Sequence, residues 1–372
     1  MTPQDLAELY LLSRSLWWRH ELGLLSDQAV SELIKVLRSA RAGIVAQIEA
    51  EAQGLASISE WTRERNDQIS AWIDDVLAGT SASVTSYISE ASVGVALASV
   101  ATYNSILSFD GKAKAVKLVE GLTREQVKQF FQDQPLGGKL LSDWVGNAFS
   151  TGARDSILDA IREGVVMGEG YRKLVKRVMT AADAGFSITQ REATTLVRTY
   201  VQSANTGAQE AVYEQNEGII KGYKRVETLD NRTCRICALA DGAVYGKNEK
   251  RPELPAHPNC RGVYVPILKT FREIGLNIDE LEEVARPWTI REQGPIGTGG
   301  RKILNFGTTK ENFGGWWESL SAEDKLKTSV GPVRGRLLQE GLVRWEDLSD
   351  KRTGLPYTLE QLGFDEQGNP LR

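Results

Sequence analysis

The chain has 372 residues, of which 41% are hydrophobic and 25% charged, and its formal net charge is −4. This is an ordinary globular composition with room for more than one domain, and it excludes both a disordered acidic chain and one basic enough overall to coat nucleic acid. Three cysteines are too few and too clustered for a disulfide framework, which points to a reducing compartment.

Met1 is followed by the polar run TPQD, with no basic segment and no apolar core, so no secretory signal is expected. Thr2 followed by Pro3 predicts a helix N-cap with proline in the first turn. Ser26 is expected to cap a second segment, in which Val30, Leu33, Leu37, Ala40, Ile44 and Ile48 recur at three- and four-residue steps and form one buried stripe. A long helical stretch follows from about Ser59 to Phe109, with a break predicted near Gly79. Its uncharged part, 91–109, is of membrane-spanning length, but Ser92, Ser99, Thr102, Asn104, Ser105 and Ser108 interrupt it, so a buried helix is expected rather than a membrane span.

Asp110-Gly111 marks a turn, and 113–118 has the character of a short strand. Capping boxes are predicted at Thr123/Gln126 and Thr189/Glu192, where a hydroxyl and a side chain three residues on can satisfy free helix-end amides. The second would open a helix whose inward face is Ala193, Leu196, Val197, Tyr200, Val201, Ala204, Ala208 and Val212, ending at Gly218. Beyond it, 219–229, 242–245 and 262–268 read as strands. GPIGTGG (294–300) reads as a hinge, because the Gly-Lys-Ser/Thr of a phosphate-binding loop is absent. A last helical region of about 310–364 is rich in tryptophan.

All three cysteines and one of the two histidines fall between 234 and 260, as Cys234, Cys237, His257 and Cys260. Thiolate and imidazole are the donors that tetrahedral zinc prefers, and the two-residue spacing lets one knuckle present both ligands of a pair to a single ion. Pro255 and Pro258 stiffen the histidine loop. Four protein ligands close the site to water, so the expected role of Zn2+ is structural, with metal binding acting as folding energy for a module too small to bury much core. The same stretch carries a local positive excess, since residues 221–273 hold eleven Lys/Arg against six Asp/Glu. Lys221, Lys224, Arg225, Arg232, Arg235 and Arg261 are the candidate basic contact surface, suited to an acidic partner or to phosphates.

The predicted fold class is therefore mainly α: a long helical N-terminal body, a small zinc-stapled α+β module and a C-terminal helical region. The expected divisions are 1–110 and 111–218 (helical), 219–293 (the β-rich module), 294–309 (a Gly-rich linker) and 310–372 (helical). Enzymatic readings are thin. His20, the one histidine outside the cluster, lies beside Trp17 and Trp18 and reads as a surface or packing residue, so a nuclease or a serine or cysteine nucleophile would lack its usual base. The carboxylates of Glu49, Glu51 and the run DELEE (279–283) read as solvated helix faces, with an enzyme using carboxylates alone as the alternative.

Residues 190–268 resemble the phage head-morphogenesis family typified by protein F of phage Mu. The resemblance rests on Arg198-Thr199, then Asp230, Arg232, Thr233, Cys234 and Cys237, then Asp241-Gly242, and finally His257-Pro258-Asn259-Cys260-Arg261. A looser likeness covers 313–364. Two departures stand out: Gly262 occupies a position where the family often has a cysteine, and Tyr200 follows the Arg-Thr pair where an acid is common. The resemblance implies a non-enzymatic minor head (minor capsid) protein of the virion, associated with the portal vertex in head assembly or DNA delivery. It would be made in the host cytoplasm, with the portal or major capsid protein as partner and no membrane. Double-stranded DNA is a further possible partner, and the alternative readings are a zinc-dependent DNA-binding module or a nuclease acting on phage DNA.

Overall fold

The computed structural model describes residues 3–53, 63–108, 117, 119, 123–133, 139–167, 169, 171–269, 285–291, 303–350 and 352–371. Among the described residues the chain is mostly helical, with two small sheets. Three helices are long: α1 (Pro3–Gln53), α2 (Arg63–Leu107) and α6 (Tyr171–Gln215). Between α2 and α6 lie α3 (Arg124–Asp133), α4 (Leu141–Ala148), a π-helical turn (Phe149–Arg154) and α5 (Asp155–Val166). After α6 come β1 (Ile220–Val226), β2 (Leu229–Asp230), α7 (Arg235–Ala240), β3 (Val244–Gly246), β4 (Val263–Leu268), β5 (Arg286–Arg291) and β6 (Ile303–Thr309). The chain then forms α8 (Phe313–Ser319), α9 (Ala322–Leu326), α10 (Pro332–Gln339) and a 3-10 turn at Trp345–Asp347. It divides into two compact units, one of Met1–His20, Ser99–Glu120 and Thr206–Arg372, the other of Glu21–Ala98 and Gly121–Asn205.

Among the described residues, the elements of the second of these units are all helices. Its core is aliphatic: Leu33, Ile44, Ile48, Ile73, Ile88, Val93, Val145, Ile157 and Leu174 are all essentially inaccessible. Of the stripe anticipated on α1, Val30, Leu33, Leu37, Ile44 and Ile48 are buried and Ala40 is half-buried; burying each large aliphatic side chain contributes roughly 1.5–3 kcal/mol of transfer free energy. Three local expectations are overturned here. Ser26 caps nothing; it lies buried inside the continuous α1, because the apolar stripe runs through it without a break. Gly79 does not interrupt α2. Thr189 lies in the middle of α6, where its hydroxyl donates to the carbonyls of Gly185 (3.1 Å) and Ala148 (3.0 Å). At this point α6 passes so close to the π-helical turn that a Cβ on Gly152 or Gly185 would collide with the opposing chain. Thr189 thus marks a helix crossing, not a helix start. Thr123/Gln126 is the capping box expected: Gln126 Oε1 accepts from Thr123 N at 3.0 Å and Thr123 Oγ1 from Gln126 N at 3.3 Å.

α2 contains one stretch, Asp67–Leu107, long and apolar enough to cross a membrane, yet half of its most apolar window is buried inside the protein. Ser92 and Ser99 are fully buried there, and the Ser92 hydroxyl donates back to the Ile88 carbonyl at 2.8 Å. The expected turn at Asp110-Gly111 and the strand at 113–118, Lys117 apart, lie outside the described residues, as do Thr2 and DELEE.

The other unit holds both sheets. One sheet has the order β3-β1-β4, all antiparallel, with Tyr223 opposite Tyr245 on one side and Pro266 on the other. The other has the order β2-β5-β6, with β2 parallel to β5 and β6 antiparallel to it. β6 falls within the stretch read from its glycines as linker; Ile303, Leu304 and Phe306 supply strand-forming residues. Packed with this sheet is an aromatic cluster of Phe313, Trp316 and Trp317, with Trp288 and Trp345 against it. Phe313 and Trp316 meet edge-on at 4.8 Å. A tyrosine column, Tyr103, Tyr213 and Tyr223, connects the helical part of this unit to β1, with ring spacings of 5.8 and 5.9 Å.

Candidate metal centre

Cys234 is the N-cap of α7, in extended conformation, and its Sγ accepts from the Cys237 amide at 3.5 Å. One helical turn therefore places Sγ of Cys237 beside Sγ of Cys234, which is what the two-residue spacing is for. The second pair comes from the loop before β4. Asn259 adopts the left-handed conformation (φ 60°), which asparagine tolerates better than most residues, and the Cys260 amide donates to the His257 carbonyl at 3.1 Å. That turn folds His257 and Cys260 back toward α7.

The donor atoms of Cys234, Cys237 and His257 lie within 4.8 Å of one another and can hold a metal ion. His257 Nε2 is 3.0 Å from Cys234 Sγ and 3.1 Å from Cys237 Sγ. Cys260 joins through Cys237, with their sulfurs 3.8 Å apart. A tetrahedral ion with metal–sulfur bonds of about 2.3 Å sets its sulfurs about 3.8 Å apart, so this edge already has the required length. The two sulfur–nitrogen edges are shorter than the roughly 3.5 Å such an ion would set, a difference that small side-chain rotations accommodate. His257 Nδ1 lies 2.8 Å from the Pro258 carbonyl; donating there assigns the proton to Nδ1 and leaves Nε2 as the ligand atom facing the sulfurs. Donor chemistry and spacing thus fit a soft or borderline divalent ion.

Hydrogen bonding within the cluster pushes the titrations of its members apart. Interaction with Cys237 holds the thiol of Cys234 down at about 4 and that of Cys260 down at about 5, and pushes Cys237 upward in return. The hydrogen bond with Cys234 is the main cause raising His257 to about 9. A bound metal would displace that proton.

Around the ligands lies a shell of buried ion pairs. Asp230 accepts both guanidinium nitrogens of Arg261 at 2.8 Å, and also the Thr233 hydroxyl at 3.0 Å and the Arg232 amide at 3.1 Å. Burial opposes ionisation of Asp230, but the charge and hydrogen bonds of Arg261 prevail and hold it below the usual carboxylate range. Asp241, also buried, pairs with Arg286 and accepts from the Glu227 and Phe313 amides, each at 2.7 Å. One carboxylate therefore joins β1 to β5 and to the start of α8. Gly242 turns the chain here at φ 83°. Arg225 pairs with Glu227 at 2.8 Å, and neither side chain is more than 1% exposed. Arg19 of α1 reaches the Val226 carbonyl at 3.5 Å.

This shell corrects the predicted basic surface. Arg225 is at no surface: alternation along β1 turns it inward, opposite in direction to Lys224. Arg261 is two-thirds covered and committed to Asp230. Arg235 is half-buried and donates to the Ser329 carbonyl at 3.2 Å. Lys221 and Arg232 are exposed and Lys224 partly so. Elsewhere, Arg198 makes an ion pair with Asp27 at 3.0 Å, and Tyr200 is buried, which pushes its hydroxyl up to about 12. His20 is exposed. Glu227 and Arg286 escaped the sequence reading, because no local spacing relates them to the metal ligands.

Residues 155–265 match the family described as Phage Mu protein F like protein. No curated protein and no solved structure matches the chain. The matched stretch runs from α5 into β4 and contains both ligand pairs together with Asp230, Asp241 and Arg261, residues on which the motif resemblance rests, so it is this segment of the chain that is similar to the family.

Proposed function

We propose that the chain is a minor head protein of a tailed bacteriophage, a structural and non-enzymatic component associated with the portal vertex during head assembly or DNA delivery. Its metal module carries one structural Zn2+ on Cys234, Cys237, His257 and Cys260. The observation that carries this reading is the coincidence of the Phage Mu protein F-like segment with the Cys/His cluster and its shell of buried ion pairs. Four protein donors leave no open position for water, which favours a staple over a catalyst. The partners proposed are the portal and major capsid proteins.

Three measurements test the reading. Purified under reducing conditions without chelator, the protein should contain about one zinc per chain; metal-free, folded protein would end the zinc assignment. Fractionated heads should contain the protein, with antibody label at a single vertex. Its absence from heads, or label spread over the whole shell, would end the portal assignment. Docking through residual positive charge is tested by reversing Lys221 and Arg232, which are exposed, instead of Arg225, which is not. Reduced incorporation into heads, deepening with salt, is the expected result.

The DNA-binding alternative loses Arg225 and Arg261 as phosphate contacts, since buried carboxylates already hold both. Steep salt-dependent binding of random duplex DNA by the full chain would revive it.

A further inference from the structure

The Arg225–Glu227 pair is more than an internal ion pair. Arg225, whose partner is Glu227, is fully buried, which is rare for arginine unless it is paired. Its backbone sits in the centre of the sheet, with its amide donating to Ala243 and its carbonyl accepting from Gly242, so the direction of the side chain is set by the strand. Nε is held by Glu227 Oε1 at 2.8 Å. Glu227 is in turn fixed by its surroundings: a Cβ at Gly262 would overlap its carboxylate, so only glycine leaves room for it there. With Nε pinned, the planar guanidinium directs Nη2 at Cys237 Sγ, 3.8 Å away, an N–H···S hydrogen-bond distance. Among the described residues, Nη1 has no hydrogen-bond partner. The rigid fork is therefore committed to one carboxylate and one sulfur.

We infer that Arg225 is an outer member of the metal centre: a positioning residue, oriented by Glu227, that donates to the Cys237 thiolate and offsets the negative charge of the three-sulfur donor set. The inference rests on the metal reading above and extends it to a residue that supplies no ligand atom. A guanidinium suits the task because its charge is permanent and its nitrogens are held in one plane, so that one edge can serve Glu227 while another faces sulfur. A hydrogen bond to a thiolate lowers its basicity and its reactivity toward electrophiles. Removing the donor should therefore weaken metal retention at neutral pH and leave Cys237 more nucleophilic. It also accounts for Gly262, since a larger residue would displace the carboxylate that aims the guanidinium.

The test uses the full chain. Wild type, the charge-neutral double variant Arg225→Gln/Glu227→Gln and the conservative Arg225→Lys are each titrated with zinc against a chromophoric chelator, with circular dichroism checking the fold. Outer-sphere partners of metal ligands typically change affinity about 10–100-fold, and a loss in that range is expected for the double variant. Cobalt-loaded double variant should also show its sulfur-to-metal charge-transfer band moved to longer wavelength, and iodoacetamide should modify Cys237 faster. A merely structural pair would change neither. Arg225→Lys retains the charge opposite Glu227, but its single ammonium cannot serve both groups, so it should fold and still lose affinity; it carries the comparison if the double variant does not fold. Folded variants with wild-type affinity, band position and alkylation rate would overturn the role of Arg225 while leaving the metal reading intact. Wild type that binds no zinc or cobalt would overturn both.

Discussion

The two compact units are stabilised in different ways. The all-helical unit rests on aliphatic side chains such as Ile44, Ile73 and Ile157, each fully buried, while its ion pairs, including Arg154–Asp74 and Arg124–Glu90, lie partly in solvent. The unit with the metal centre buries charge instead: Arg225 with Glu227, Arg286 with Asp241, and Asp230 beneath Arg261, next to three cysteines and a histidine. An aliphatic core is a sum of many similar small contributions, so losing one weakens it in proportion. A polar core is conditional. Each member is favourable only while its partner is in place, and removing one leaves the other buried and uncompensated.

The largest expected effect comes from the metal itself. Cys237→Ala or His257→Ala, or prolonged chelation, should unfold the 219–268 module, because apparent metal-binding energies of about 10–16 kcal/mol in small zinc modules are folding energy. Protection from hydrogen exchange should vanish across these residues and persist in Glu21–Ala98. Unchanged protection throughout would mean that the cluster is incidental and that the contrast between the units is false.

Asp241→Ala should come next, costing about 3–5 kcal/mol, the penalty for stranding a buried partner, here Arg286. Urea unfolding of the metal-loaded protein, followed by hydrogen exchange in β5 and α8, measures it. A loss below 1 kcal/mol would show that water replaces the carboxylate and that this core is less conditional than argued. In the helical unit, Ile44→Ala should cost about 2–5 kcal/mol and Ile73→Val about 0.5–1.5 kcal/mol. Both losses should be the same with and without chelator; dependence on metal would break the separation between the units.

The smallest effect concerns Glu90, whose carboxylate is held below its usual range by hydrogen bonds from Lys128 first and Arg124 second. The side chain is about a third exposed, so solvent screening keeps the pair at no more than about 1 kcal/mol. Because the folded value is depressed, the contribution is fully present above the ordinary glutamate pKa of about 4.3 and disappears as pH falls through the lower folded value. Glu90→Gln should therefore narrow the stability difference between pH 6 and pH 3 slightly, by thermal unfolding.

Several features depend on residues close in sequence and were legible from it. Cys234 and Cys237 meet through one helical turn, His257 and Cys260 through one tight turn, and the Thr123/Gln126 box through three residues. The strand positions at 220–226 and 263–268 likewise follow from local residue type. Helical periodicity identified the buried stripe for the same reason. Tertiary structure decided the rest. A serine or threonine just ahead of an apolar-periodic run offers a cap, but Ser26 and Thr189 lie within helices whose packing carries the chain straight through. Six basic residues in one short module suggest a contact surface only until strand alternation turns Arg225 inward and a carboxylate 31 residues away claims Arg261. The use of a charged side chain is set by the dielectric and the partners around it. Those depend on which distant segments meet, and Asp241 and Arg286 were brought together across 45 residues by the fold.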